Sequence, residues 1–342
     1  MPMRISHPAR SPRIDIRLLL ACTAGLAMLA LALSPIPAAA QKKIEITYSD
    51  TVPETDIRSA TLKTAFGDCL GAEFHFKPYH GATLFKQGTE LTAMQRGNLD
   101  MAALAIFDFY NQVPETSILG TAYLYRDYDH MRKTFSSPVL APLMKTIEDK
   151  AKVKVLSNPY IGTRHINIKG DRPIKTPADM SGIKLRMPGG EGWQFVGEAL
   201  GANPTPMAFT EVYTALQSGA IDGQDNPLPA DKAMKFYEVT NQIVLSGHLI
   251  AANQFTISLK KWASLTPAQQ DKVQSCALAF EKALDKVTLT QEGELIDFFK
   301  KEGLKVYEPD KKAFRDHVLD QYRKSKYSKD WPAGLIDQIN AL

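Results

Sequence analysis

Residues 174–227, IKTPADMSGIKLRMPGGEGWQFVGEALGANPTPMAFTEVYTALQSGAIDGQDNP, alternate between strand-like and helix-like patterns. The alternation of apolar and polar residues in Ile183–Met187 predicts a strand, and Glu191–Leu200 has the spacing of a helix. A short helix is predicted over Thr210–Ser218, and a further strand begins within Ile221–Gln224. Strands that alternate with helices are typical of parallel βαβ units. This stretch therefore predicts an α/β fold.

The same alternation extends in both directions from this stretch. After a leader of forty residues, about 300 residues remain, which is more than one hydrophobic core usually serves, so we expect two lobes. A ligand would lie where strand ends of the two lobes face each other. The predicted strands are Lys43–Tyr48, Glu73–Lys77, Leu99–Ile106 and Lys152–Ser157, and the predicted helices are 55–70, 88–96 and a long amphipathic one between Pro267 and Lys300.

The first forty residues have the three parts of a secretory signal. Four arginines precede an apolar run over Leu18–Leu33, and Ala38–Ala40 offers small residues to a peptidase. The alternative, a membrane anchor, is less favoured because the run has 16 residues and a span needs about 20. We predict a signal peptide over residues 1–40, cleavage after Ala40, and a mature protein in the periplasm.

Charge argues against a nucleic-acid partner. The whole chain has 41 basic and 37 acidic residues, and the leader contains four arginines and Asp15. The mature chain then has 41 − 4 = 37 basic and 37 − 1 = 36 acidic residues, a net charge of about +1. The basic character therefore lies in the leader, and no nucleic-acid partner is expected.

Two cysteines remain in the mature chain, Cys69 and Cys276. An exported protein could pair them. Each lies in an apolar helical pattern, and two cysteines so far apart in sequence need not meet. We expect two buried free thiols.

No motif of a cofactor, metal or nucleophile site is found. Phosphate-loop, dinucleotide and G-x-S-x-G patterns are absent from the sequence. His75 and His80 are five residues apart, which is not a zinc spacing, and we expect both to face solvent. No cofactor, no metal and no enzymatic activity are predicted.

Several longer motifs point to a known family. They are LGANPTPM (200–207), EVYTALQ (211–217), DGQDNP (222–227), MQRGNLDM (94–101) and YLYRD (123–127). Together with 174–188, they resemble the DctP family of TRAP transporter solute-binding proteins over nearly the whole mature chain. The usual family form has Glu where this chain has Asp225.

The resemblance implies a two-lobe periplasmic-binding-protein fold with a long C-terminal helix spanning the lobes. Lobe I is expected over 41–163, with about 252–291 returning to it. Lobe II is expected over 164–251, with the C-terminal helices at about 292–342.

The resemblance also implies site residues. Arg186 matches the carboxylate-clamping arginine, Asn226 an amide that contacts the carboxylate, Phe209 an aromatic residue of the pocket, and Arg164 resembles a second ligand-contacting arginine. A guanidinium suits this role because its two parallel donors match the two carboxylate oxygens. Without the motif, Arg186 could form a surface salt bridge to Asp179 or Glu211, Asn226 could be a turn residue, and Phe209 could belong to the core.

An aromatic residue outside the family motif, Trp193, follows the predicted arginine strand. Its ring could stack on a planar ligand or pack within its helix, and the sequence leaves both open. Tyr79, His80 and Phe107 are weaker candidates for the first-lobe side.

The expected function is that of an extracytoplasmic receptor that binds a small organic monocarboxylate, such as a keto, hydroxy, aromatic or sugar acid. The expected partners are the small and large permease subunits in the membrane, and a monomer is expected. Residues 103–107 lack the Glu that sialic-acid-binding members offer there, which disfavours that ligand. The alternatives are a secreted enzyme acting on organic acids and a receptor for a membrane sensor.

Overall fold

The computed structural model describes residues 43–342, so the predicted signal peptide lies outside the described residues. Two sheets form the framework, and their strands are β1 Ile44–Ser49, β2 Phe74–Tyr79, β3 Met101–Leu104, β4 Val153–Ser157, β5 Tyr160–Ile168, β6 Lys184–Met187, β7 Asn203–Pro206, β8 Gly223–Pro227, β9 Gln242–Ala252, β10 Gln254–Ser258 and β11 Lys305–Tyr307. The first sheet has the order β2-β1-β3-β10-β4, and the second has the order β11-β9-β5-β8-β6-β7. We call the part built on the first sheet the first lobe and the part built on the second sheet the second lobe.

Helices cover both sheets. The α-helices are Ile57–Thr61, Asp68–Leu70, Glu90–Arg96, Tyr128–Ser136, Ala141–Ala151, Glu191–Ala199, Val212–Ser218, Leu228–Ala233, Leu259–Ala263, Pro267–Lys301, Lys311–Lys324 and Leu335–Asn340, and a π-helical segment, Leu62–Gly67, joins the first two. Short 3-10 turns lie at Ile106–Phe109, Pro114–Gly120, Pro138–Leu140, Pro177–Met180, Phe209–Glu211, Phe236–Glu238 and Tyr327–Lys329. Across 43–342, no helix combines the length and apolarity needed to cross a membrane.

The strand directions confirm the α/β prediction and correct one part of it. The pairs β1–β2, β1–β3, β6–β7 and β6–β8 are parallel, as βαβ units predict. However, β10 runs antiparallel to β3 and β4, and β5 runs antiparallel to β8 and β9. Only two residues separate β4 from β5, and one separates β9 from β10. These two direct connections carry the chain from one sheet to the other, which produces the antiparallel pairs.

The long helix Pro267–Lys301 contacts both lobes. Its first half packs Val273, Cys276 and Phe280 into the core of the first sheet. Its second half packs Leu295 and Phe299 with Ile243 of β9. The long C-terminal helix predicted from the resemblance is therefore present. The chain end also touches the first lobe, since His130 Nε2 lies 2.8 Å from the carbonyl oxygen of Ile339; the predicted lobe boundaries stay a prediction.

The prediction of two free thiols was wrong. Cys69 and Cys276 form a disulfide, with their Cα atoms 5.7 Å apart. Both lie on apolar helix faces that pack against each other in the first-lobe core, next to Phe66, Leu70 and Ala277. Sequence separation concealed this contact, because the long helix returns to the first lobe after the chain has built the second.

Candidate functional site

A cavity of about 400 Å³ lies between the two lobes. Its second-lobe wall includes all five residues predicted from the sequence, namely Arg164, Arg186, Trp193, Phe209 and Asn226. Its first-lobe wall includes Asp50, Gln87, Glu90, Phe107, Asp108 and Gln254. The five predicted residues, which span 63 positions of sequence (226 − 164 + 1), therefore meet at one place.

Arg186 lies on β6 and is 1% exposed. Its Nε and Nη2 donate to the carbonyl oxygen of Met207 at 3.0 and 2.7 Å, and Nη2 also donates to Gln87 Oε1 at 3.0 Å. Burial lowers the pKa of Arg186 to about 9, with the Asp225 carboxylate opposing this effect, so the guanidinium is charged at neutral pH. In the part of the chain that the structure describes, Arg186 forms no salt bridge, which rules out the pairs with Asp179 and Glu211 there.

Arg164, by contrast, has a carboxylate partner. Its Nε and Nη2 donate to the two oxygens of Asp225 at 2.7 and 3.0 Å, and Nη2 donates to the Asp225 carbonyl at 2.6 Å. His248 Nε2 lies 3.0 Å from the same carboxylate, and its Nδ1 lies 2.8 Å from Ser246 Oγ. Burial alone would raise the pKa of Asp225, but Arg164 and His248 outweigh it and hold the pKa below its usual range. A carboxylate with these partners stays ionised, so it neutralises Arg164.

Asn226 and Phe209 complete this wall. Asn226 is 6% exposed on β8, and its amide nitrogen donates to Gln224 Oε1. Gln224 in turn donates to Asp231 Oδ1 at 2.8 Å, so the amide belongs to a buried network and not to a solvated turn. The Phe209 ring lies 5.7 Å from the Arg186 guanidinium and packs edge-on to Phe236. It therefore belongs both to the cavity wall and to the core.

Trp193 lies on the helix Glu191–Ala199 and is 6% exposed. It stacks on Phe107, with ring centroids 3.8 Å apart and planes 25° apart. The Arg164 guanidinium lies 4.8 Å from the Trp193 ring centroid. Protein groups therefore cover much of this ring.

The first-lobe wall contains residues that the sequence analysis did not single out. Burial raises the pKa of Glu90 to about 7 and that of Asp108 to about 6. Gln254 is fully buried, and neither polar atom of its amide has a hydrogen-bond partner among residues 43–342. Asp50 could have been found, because it directly follows β1, at the carboxyl end of a strand where ligands bind in α/β folds.

Of the three weaker candidates, only Phe107 lines the cavity. Tyr79 is 37% exposed at the end of β2. His75 is exposed, as expected, but His80 is half-buried and lies 3.1 Å from Asp50 and 3.2 Å from Ser59 Oγ. The expectation that His80 faces solvent was wrong, because the Asp50 carboxylate provides it with a partner.

Residues 55–329 match the bacterial extracellular solute-binding protein family 7, DctP. The chain belongs to this family. The sialic acid-binding periplasmic protein SiaP of Vibrio cholerae is 33% identical over 245 residues, which cover 72% of this chain and 76% of that protein. Relatives of this kind are periplasmic receptors of TRAP transport systems.

Solved structures agree with this assignment. A TRAP periplasmic solute-binding protein from Roseobacter denitrificans, solved with bound 3-deoxy-D-manno-oct-2-ulosonic acid (KDO), has a TM-score of 0.86 and 43% identity and covers 87% of this chain and 99% of its own. A second protein from the same species, solved with bound L-galactonate, has a TM-score of 0.80 and 26% identity and covers 88% of this chain and 99% of its own.

Proposed function

We propose that this chain is the periplasmic receptor of a TRAP transporter and that it binds a sugar acid, with the carboxylate held by Arg186. One observation carries the proposal. Arg186 is charged and 1% exposed, and it has no carboxylate partner among the described residues. A buried charge without a counterion is costly, so the cavity is suited to an anion.

The rest of the second-lobe wall supports an anionic head group. Arg186 and Arg164 each keep an Nη1 without a hydrogen-bond partner in the described chain. Asn226 adds a neutral amide beside them. A carboxylate leaving water needs several strong hydrogen bonds in return, and these groups provide them.

The first-lobe wall supports a tail rich in hydroxyls. Carboxyl and amide groups of Asp50, Glu90, Asp108 and Gln254 can accept hydrogen bonds from several hydroxyls. A cavity of about 400 Å³ has room for a small ligand of this kind. The two Roseobacter proteins, solved with KDO and L-galactonate, support a sugar acid over an aromatic or aliphatic acid.

Membership of the family supports delivery of the ligand to a permease of one small and one large membrane subunit. The receptor would act as a monomer in the periplasm after removal of residues 1–40, and closure of the lobes on the ligand would present the form that the permease recognises. A sensor partner would instead be revealed by a histidine-kinase gene beside this gene.

The enzyme alternative has little support in the cavity. Ser246, His248 and Asp225 form a chain of hydrogen bonds like that of a serine hydrolase. However, Ser246 is fully buried, and it does not line the cavity. Asp225 is also paired with Arg164, which gives the network a structural role.

Calorimetric titration of the mature protein with KDO, L-galactonate and D-galacturonate tests the proposal. We expect at least one acid to bind, and we expect Arg186→Ala to weaken its affinity at least 100-fold, since each charged hydrogen bond contributes about 1.5–3 kcal/mol. Arg186→Lys should recover only part of the loss, because an ammonium lacks the planar fork.

The matched control is Arg323→Ala, which removes an exposed cation from the helix Lys311–Lys324. It should bind like the parent protein. If Arg186→Ala retains the affinity of the parent for its best acid, the anion-binding role of Arg186 is wrong.

A further inference from the structure

The two lobes meet at an aromatic contact beside the cavity. Phe107 belongs to the turn Ile106–Phe109, which follows β3 of the first sheet, and Trp193 belongs to the second-lobe helix Glu191–Ala199. Their rings lie nearly parallel with centroids 3.8 Å apart. Such a contact exists only while the two lobes are close together.

Gly192 permits this approach. A Cβ atom built on Gly192 would lie 2.5 Å from the Tyr110 ring, closer than such atoms pack, and 3.0 Å from the Phe107 ring, which is a tight contact. The residue has no positive φ, so its backbone does not require glycine. Glycine is also unfavourable inside a helix. The absence of a side chain at this position therefore serves the contact between the lobes.

Trp193 connects this contact to Arg164 on the second-lobe wall of the cavity. Phe107 covers a face of its ring, and the Arg164 guanidinium lies 4.8 Å from its centroid. Two of the guanidinium nitrogens are already held by Asp225, so the Trp193 ring limits the remaining freedom of Arg164. A chain of contacts thus runs from Phe107 of the first lobe, through Trp193, to Arg164 of the second.

We propose that the contact of Phe107 and Tyr110 with Gly192 and Trp193 is a closing contact of the two lobes, and that it makes Trp193 a positioning residue for Arg164. This inference rests on the proposed function. It assigns Trp193 a role other than stacking on the ligand or packing only within its own helix.

A second contact between the two lobes is made of hydrogen bonds and not of aromatic rings. Gln87 Oε1 of the first lobe accepts hydrogen bonds from Arg186 Nη2 at 3.0 Å and from the Phe209 backbone N–H at 2.9 Å. This contact uses Arg186, which the ligand also uses. The aromatic contact uses neither of the free Nη1 donors, so Gly192 is the position at which closure can be disturbed without removing a ligand contact.

The test uses Gly192→Ala in the mature protein, with KDO and L-galactonate as probes. The added methyl group cannot fit between the closed lobes, whereas alanine is favourable in the helix itself. We expect an unchanged or higher melting temperature, an affinity at least tenfold weaker with most of the change in the dissociation rate, and a larger radius of gyration by X-ray scattering with ligand present.

Gly293→Ala is the matched control, since it makes the same substitution in the long helix where nothing lies within 4 Å of the added Cβ. It should leave affinity and scattering unchanged. Phe107→Leu, which removes the stacked ring without adding bulk, should raise the dissociation rate several-fold. If Gly192→Ala fails to fold, the radius of gyration of ligand-bound Phe107→Leu decides, because Phe107 also lines the cavity and its dissociation rate alone does not separate the two roles.

The role in positioning Arg164 is tested by combining Gly192→Ala with Arg164→Lys. If the glycine variant acts by moving Trp193 away from Arg164, its effect on affinity should shrink at least threefold in the lysine background. Full additivity would overturn that role. An affinity and radius of gyration equal to those of the parent protein in both Gly192→Ala and Phe107→Leu would overturn the closing contact itself.

Failure of the proposed function gives a different result. In that case the parent protein binds none of the acids, but hydrogen exchange of the ligand-free protein still tests the contact. Faster exchange over 106–110 and 191–195 in Gly192→Ala than in Gly293→Ala would support it, and equal exchange would overturn it.

Discussion

The second-lobe wall of the cavity presents two guanidinium groups and an amide, whereas the first-lobe wall presents the carboxyls of Asp50, Glu90 and Asp108 and the amide of Gln254. The two walls therefore favour opposite ends of one ligand. An acid with a carboxylate at one end and hydroxyls at the other would satisfy both, but only in one orientation.

The two walls also differ in how their charges are compensated. On the second-lobe wall, Asp225 is an internal counterion for Arg164. On the first-lobe wall, burial raises the pKa of Glu90 and of Asp108, so these carboxyls take up a proton more readily. The second lobe thus pairs Arg164 with Asp225 but leaves Arg186 without a carboxylate partner among the described residues, whereas burial on the first lobe favours the protonated form of Glu90 and Asp108.

Among the variants considered, substitution of Asp225 should lower the free energy of unfolding most, because it removes the counterion of Arg164. Asp225→Asn leaves Arg164 buried without a counterion, and the loss of one partner of a buried ion pair costs about 3 to 5 kcal/mol. Urea unfolding should report the loss. Asp108→Asn on the other wall should change the free energy of unfolding by less than about 1 kcal/mol, because the amide can still accept from the Ala105 N–H. Equal losses of unfolding free energy in Asp225→Asn and Asp108→Asn would contradict the difference between the two walls.

Removal of the disulfide should destabilise the first lobe more than the second. The bond joins two helices of the first-lobe core, so Cys69→Ala with Cys276→Ala should destabilise the protein by about 2 to 4 kcal/mol. Hydrogen exchange should then speed up in β1 and in the first half of the long helix before it does in β6 and β8. Uniform acceleration in both sheets would show that the lobes unfold as one unit.

The residues of the second-lobe wall could be named from the sequence because they lie in motifs that resemble the family, and their roles in ligand binding stay predictions. Arg186 lies near the end of a strand whose alternation is visible in the sequence, and Asn226 lies within a motif of consecutive residues. Local periodicity also predicted β6 and the helices Glu191–Ala199 and Val212–Ser218, but it did not reveal the short strand β7 between the two helices. Features that depend on neighbours in the chain could therefore be found.

The first-lobe wall was not predictable, because its chemistry depends on contacts between distant segments. A single Glu90 at the start of a helix resembles a solvated residue, and its pKa is raised chiefly by burial and further by the nearby Asp108 carboxylate, which is distant in sequence. Gln254 lies on a strand that no local pattern revealed, beside β3 and β4. The Cys69–Cys276 bond escaped prediction for the same reason, since its partners are 207 residues apart.

The smallest effect on stability should come from substitution of Glu90, and this effect should depend on pH. The pKa of its carboxyl is about 7 in the folded protein against a usual value of 4.5, so the folded state binds the proton more tightly than the unfolded state does. The contribution of this carboxyl to stability is therefore fully present below about pH 4.5 and is lost as the pH rises through about 7.

Glu90→Gln removes this dependence while it keeps the shape of the side chain. Relative to the parent protein, the variant should gain about 1 to 2 kcal/mol of unfolding free energy between pH 5 and pH 8, since each unit of pKa corresponds to about 1.4 kcal/mol and the side chain, 6% exposed, keeps some contact with solvent. Urea unfolding at the two pH values measures this difference, and Glu294→Gln, an exposed site on the long helix, is the control. A difference in unfolding free energy between the parent and Glu90→Gln that is the same at pH 5 and pH 8 would mean that Glu90 is solvated. The carboxylate of Glu90 would then be fully ionised at neutral pH, and it could not donate a hydrogen bond to a ligand hydroxyl.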